Sequence, residues 1–325
     1  MTRARRKKAA PPPGRPTRPG EPIGLRELDR FSEVTLAKWK ALSEYIDELH
    51  DVLYFSIEPE RQRLRQDLIA ALQAAPATPL ILDRWVRIVT FQYSDNPLSC
   101  AGSLQRIGGR FNLGVDVDKG ALSPWPALYL GENFETAFRE KFELPSDSRT
   151  DGLTPEELAL EHGISHSTVF VRGHMHRLFD VREVAATAAL AGVLRKIKMP
   201  QRARELRTRL QIPPHALFMA HSPKQVHEMV AKHNWRIWPV QFDLPAPSQI
   251  LADLIRRAGF EGILYRSSKG PADCVALFPD QLSAGTFVEL ADAAFASVVH
   301  QRLDSTTCDE LCGWSSIPAR NRPAK

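Results

Sequence analysis

The stretch "ALYLGENFETAFREKF" (residues 127–142) decides the fold. Its first part belongs to "PALYLG", an apolar and aromatic run that reads as a strand. Its second part, "GENFETAFREKF", reads as a short helix. Asn133 can cap that helix, Glu135 suits its positive end, and Phe134, Ala137, Phe138 and Phe142 recur as one buried stripe. On a helical wheel Glu140 falls away from the stripe, so its carboxylate faces water or lines a cleft. Tyr129 lies inside the strand, where a half-buried core tyrosine is the plain reading.

Just upstream stands "GGRFN" (108–112). Gly108 and Gly109 let the backbone turn sharply and approach a ligand closely. Arg110 then carries a planar, permanently charged fork suited to phosphate oxygens, although singly it equally describes a loop arginine in a surface ion pair. The turn is neither a G-x-G-x-x-G fingerprint nor a P-loop. Downstream, Ser267 and Ser268 close the strand "GILYR", a common place for binding groups. "YRSSKG" is not a nucleophile elbow, which argues against a serine hydrolase.

Further outward, the order of elements is α+β. Leu36, Trp39, Leu42, Ile46, Leu49 and Leu53 recur at threes and fours and predict one amphipathic helix. A second helix is expected from about residue 60 to 72, ending at the Pro76–Pro79 turn. "WVRIVTFQY" (85–93) is expected to open the main domain as a strand, followed by strands at "STVFVRG" and "HRLFDV". Helices are expected at about 182–196, 200–210 and 223–232. "PSQILADLIRRAG" predicts a helix capped by Ser248 and stopped by Gly259, and "DCVALF" a late strand. No regular βαβ alternation appears, so a doubly wound parallel sheet is not expected. The expected divisions are a disordered basic tail (1–24), a helical N-terminal extension (25–80), the main domain (81–290), and a C-terminal helix and tail (291–325).

Composition is ordinary for a soluble chain of 325 residues, 43% hydrophobic and 25% charged. No apolar run is long enough to span a membrane, and the basic N-terminus lacks the apolar core of a secretion signal, so cytosol is expected. The net charge is +5, but residues 1–20 alone contribute +7, which leaves −2 for the rest. Nucleic-acid affinity from bulk charge would therefore sit in the tail, and the body argues against it. The four cysteines are too few for a disulfide framework. Cys308 and Cys312, and the histidine pairs 162/166 and 174/176, lack the companion ligands of a metal motif, so no metal is expected.

Taken together, these segments resemble the RES domain, the toxin half of RES–Xre toxin–antitoxin modules. "GGRFN" resembles the family's glycine–glycine–arginine–aromatic–asparagine turn. "LYLGENFETAFRE" resembles its strand-then-helix block, with Tyr129 and Glu140 at the family's tyrosine-to-glutamate spacing. "RLFDV" is similar to a later strand, and "GFEGILYRSS" to the one ending in the family serine, here Ser267. The resemblance covers roughly residues 85–285. The chain departs from it in the fifteen residues between Asn112 and Leu128, in Lys269 where an arginine is common, and in the early arginine, whose place Arg87 and Gln92 share.

The resemblance implies an ADP-ribosyltransferase-like core, a mixed or antiparallel sheet with flanking helices. It implies an NAD-degrading toxin that cleaves the nicotinamide–ribose bond as a glycohydrolase or phosphorylase. The alternatives are a protein ADP-ribosyltransferase and a degenerate scaffold without catalysis. NAD is then substrate, with no cofactor. Glu140, Tyr129 and Arg110 are the implied catalytic residues. Arg110, Tyr129, Ser267, Gly109 and Asn112 are the implied binding residues. An Xre-type antitoxin is the implied partner, and the helical prefix is a candidate surface for it or for a homo-oligomer.

Overall fold

The computed structural model describes residues 33–117, 122–142, 144, 165–231, 235–294 and 296–317, with only the backbone for 33–39. The basic tail and His162 lie outside these residues. The chain divides into two compact units, Met1–Ile46 and Asp47–Lys325. In the first, the described part is the start of helix α1 (Glu33–Arg63). Among the described side chains of the expected stripe, Leu49 and Leu53 are buried, and Leu42 and Ile46 are exposed. Among the described residues no helix is long and apolar enough to cross a membrane.

In the second unit, helix α2 (Arg65–Gln73) follows a break at Leu64. Strand β1 (Thr78–Thr90) is longer than its sequence signal. It begins before "WVRIV" because Pro79, lacking an N–H, is tolerated at a strand's start. A bulge between Leu82 and Trp85, with Arg84 at φ 52°, re-aligns the strand and hides the alternation. Its expected end at Tyr93 is instead a 3-10 turn, Phe91–Tyr93. The boundary expected at 80/81 thus falls inside a strand, and Leu68 and Leu72 of α2 are fully buried in the main core.

A hairpin of β2 (Gly108–Gly109) and β3 (Asn112–Leu113) precedes β4 (Leu128–Gly131) and helix α3 (Phe134–Phe142). The two strands expected at "STVFVRG" and "HRLFDV" are one, β5 (His166–Asp180). Helices α4 (Ala188–Leu194), α5 (Gln201–Arg209), α6 (Pro223–Ala231), α7 (Ile237–Gln241) and α8 (Pro247–Arg257) follow. The chain closes with β6 (Gly262–Arg266), β7 (Asp273–Leu277), β8 (Phe287–Leu290), β9 (Arg302–Leu303) and α9 (Cys308–Cys312).

The main sheet is mixed, as the α+β reading requires. Its strands run in the order β1-β4-β7-β6-β5-β8-β9, and β1 also pairs with β5. The strands β1, β4, β7, β6 and β5 therefore close into a ring, while β8 and β9 branch from β5 and leave β9 as an edge. Only β5 with β6 is parallel among these pairs. Period-two alternation sorts the side chains. Leu128, Leu130, Leu264, Val275 and Leu277 share one core cluster, while Ile263, Tyr265, Cys274 and Ala276 face a second beneath α2, α4 and α8. Helix α3 covers β1 through Ala137 and Phe138 against Val86 and Ile88, as its apolar stripe predicts.

Ser248 is not the cap of α8. The chain leaves extended backbone at Ala246, and Gln249 accepts the Ala246 N–H at 2.9 Å, while Ser248 is buried two positions further in. A glutamine three residues into a helix can reach back to the first free amide, and that wins here. Gly259 follows the helix with φ 83°, where its stop was expected.

Candidate active site

The hairpin β2–β3, the middle of β4, the last turn of α3 and the turn after β6 meet around one cavity of about 680 Å³. That volume lies within the usual range for small-molecule sites. Gly109, Arg110, Tyr129 and Glu140 all line it. Among the described residues the wall carries Arg87, Arg110, Lys141, Arg236 and Lys269 as cations, and Glu140 as its carboxylate. A cleft of that charge favours a ligand with several negative oxygens.

Glu140 is fixed through one oxygen. The Ser267 hydroxyl donates to Glu140 Oε1 at 2.6 Å, and itself accepts the N–H groups of Lys269 (3.0 Å) and Gly270 (2.8 Å). The hydroxyl thus relays two turn amides onto the carboxylate. Among the described residues none donates to Oε2. Ser267, expected to touch the ligand, is buried and absent from the cavity wall. It positions Glu140 because a strand-end hydroxyl caps the tight turn that follows.

Tyr129 is held by its own oxygen. Its hydroxyl donates to Asn112 Oδ1 at 2.9 Å and accepts the Phe111 N–H at 3.0 Å. The hydroxyl's one proton is thus committed to Asn112, and Tyr129 lines the cavity without a free donor. Burial pushes the phenol above its ordinary range, so it stays neutral. Asn112, expected to bind ligand, is fully buried behind the hairpin. Its amide donates to the carbonyls of Ser103 (2.7 Å) and Trp125 (3.1 Å), and its oxygen also accepts the Gly109 N–H at 2.9 Å. A buried asparagine must satisfy all these groups, and here they lie in the backbone rather than in the cavity.

Gly109 is required by close approach: a Cβ there would lie 2.5 Å from Tyr129 Oη. Gly108 adopts φ 81°, open to glycine without strain. Arg110 reaches from the hairpin tip to the Val230 carbonyl and the Ser268 hydroxyl, both at 3.3 Å. These long bonds tie the hairpin tip to α6 and to the turn after β6.

Several contributors carried no sequence signal. Gln249, fully buried at the start of α8, places its amide nitrogen 2.9–3.0 Å from the carbonyls of Ile107, Gly109 and Asn112 and so fixes the hairpin. Trp235 and Arg236 line the cavity, with the guanidinium 4.5 Å from the indole ring. Lys141, next to Glu140, has its ammonium pushed below the ordinary range by burial and then by Arg87. Arg87 and Gln92, the two candidates for the early arginine, both line the wall. Burial pushes the Cys274 thiol up, which removes it as a thiolate nucleophile. No group of three potential metal ligands occurs among the described residues.

No curated protein sequence matches the chain. A chain of the crystal structure of the M. tuberculosis MbcT-MbcA toxin-antitoxin complex matches with 15% identity and a TM-score of 0.38, covering 76% of this chain and 97% of that one. The family model of the RES domain matches residues 84–296, which hold the hairpin, β4, α3 and the turn after β6. The chain belongs to the RES domain family.

Proposed function

We propose that this protein is an NAD-degrading toxin of a toxin–antitoxin pair, acting in the cytoplasm by cleaving the nicotinamide–ribose bond. The observation that carries the reading is Glu140, anchored by Ser267 at 2.6 Å, on the same cavity as Arg110 and the Tyr129 ring. NAD is the substrate, and no cofactor is needed. The bond breaks through an oxocarbenium-like state, as in glycoside cleavage. Nicotinamide leaves neutral, so no strong general acid is called for. Glu140 Oε2 accepts hydrogen bonds from ribose hydroxyls and stabilises the positive charge that grows on the ring. The Tyr129 ring packs on the nicotinamide. Arg110, with Arg236 and Lys269 on the same wall, takes the pyrophosphate oxygens. Water, inorganic phosphate and a protein side chain are the candidate acceptors for the ADP-ribose. An Xre-type antitoxin that covers the cavity is the partner this reading calls for.

The test is nicotinamide release from NAD, with and without phosphate, by wild type and Glu140→Gln. Wild type should release nicotinamide. The variant should be slower by about a hundred- to a thousandfold, the usual effect of removing one preorganised transition-state partner. A folded wild type that leaves NAD intact refutes the assignment.

A further inference from the structure

Residues 297–317 lie beyond the matched region, yet one of them, Ile317, lines the cavity. Leu311 of α9 is fully buried in the inner core, and its carbonyl accepts the Cys100 N–H at 2.8 Å. Five residues on, the Ser316 hydroxyl lies 2.7 Å from the Gly313 carbonyl and 3.2 Å from the Leu311 carbonyl, and it shares a 2.7 Å hydrogen bond with Ser99 Oγ in which either hydroxyl can donate. Both serines are buried. The Ser99 carbonyl in turn accepts Arg87 Nη2 at 2.6 Å. Arg87 Nη1 is buried and makes no hydrogen bond among the described residues. Arg87, Ser99 and Ile317 all line the cavity. A buried charged donor without a partner is costly unless a ligand supplies one.

We propose that the C-terminal segment Cys308–Ile317 is a positioning element of the site: Ser316 holds Ser99, and the Ser99 carbonyl aims Arg87 so that Nη1 meets an anionic oxygen of the ligand. The identity of that ligand as NAD rests on the function proposed above; the aiming of Arg87 does not. The role is one of binding, not chemistry, because Ser316 touches neither the cavity nor Glu140.

The test is steady-state kinetics of the full chain on NAD, beside a calorimetric titration with inorganic pyrophosphate as the probe anion. Ser316→Ala should raise KM about fivefold, the effect of one misplaced hydrogen bond, with kcat within about twofold. Pyrophosphate affinity should fall by a similar factor. Ser316→Thr keeps the hydroxyl and should restore both. In an Arg87→Ala background, Ser316→Ala should add nothing, since both act through one guanidinium. If Ser316→Ala does not fold, Ser99→Ala breaks the same hydroxyl pair and should give the same shift. Unchanged KM and pyrophosphate affinity, or full additivity with Arg87→Ala, overturns the proposal. A wild type inert on NAD refutes the functional assignment instead, and the pyrophosphate titration then decides the positioning role by itself.

Discussion

Tyr129 and Asn112 show how a side chain that reads as a ligand contact can be committed to the backbone. The Tyr129 hydroxyl satisfies the Phe111 amide and the Asn112 oxygen, and Asn112 ties the same hairpin to Ser103 and Trp125. Tyr129→Phe should therefore lower stability more than activity. Leaving a half-buried amide and a buried amide oxygen short of a partner costs roughly 1–3 kcal/mol, visible as a lower melting temperature. Nicotinamide release per folded molecule should stay within a fewfold, because the aromatic ring remains. A large loss of rate at unchanged stability would mean that the hydroxyl itself acts on the substrate.

At the scale of elements, the hairpin β2–β3 is clamped from three sides, by Tyr129, Asn112 and Gln249. Gly109→Ala would place a methyl 2.5 Å from Tyr129 Oη, so hairpin and strand must separate. Arg110 moves with the hairpin, and the variant should raise KM for NAD about tenfold while destabilising by about 1–3 kcal/mol. An unchanged KM would uncouple Arg110 from substrate binding.

Strands are joined by a second clamp, away from the cavity. Glu261, at the entry to β6, is almost fully buried. Its carboxylate accepts the amides of His176 (2.8 Å) and Arg177 (3.0 Å) on β5, and the hydroxyl of Thr286 at 2.6 Å and that of Ser283. Burial alone would raise its pKa, but these donors outweigh it and hold the group below its ordinary value. A depressed carboxylate stabilises the fold above the unfolded pKa, about 4.3, and that stability is lost as pH falls through the folded value. Glu261→Gln should thus melt lower than wild type at pH 7, and the gap should narrow below about pH 4. A gap independent of pH would show that the charge contributes nothing.

At the scale of the whole molecule, charge is divided between the first twenty residues and the rest. Residues 1–20 contribute +7, while the remainder carries −2. Within that acidic remainder the cavity wall gathers five cations, so the field that attracts an anionic ligand is local rather than global. Deleting residues 1–20 should leave nicotinamide release and melting temperature unchanged, and should weaken salt-dependent binding to nucleic acid if any is present. A loss of NAD turnover on deletion would place the tail in the reaction.

What local pattern could determine, the sequence determined. The strand-then-helix block at 127–142, the two-glycine turn before Arg110 and the helix ending at Gly259 are each readable because their signals lie within a dozen residues. So was the placement of Glu140 off the apolar stripe of α3, since helical periodicity alone fixes it. The tertiary structure decided the rest. The bulge in β1 broke its alternation, so its start was hidden. The ring closure β1–β5 joins residues about ninety positions apart, which no local period encodes. Whether Ser267 and Asn112 would face the ligand or stand behind it depended on which neighbours needed their hydrogen bonds. Gln249 and Ser316, polar residues without a motif, gained their roles only when folding buried them against the hairpin and Ser99. A buried polar group must find a partner, and that partner is set by three-dimensional packing rather than by sequence distance.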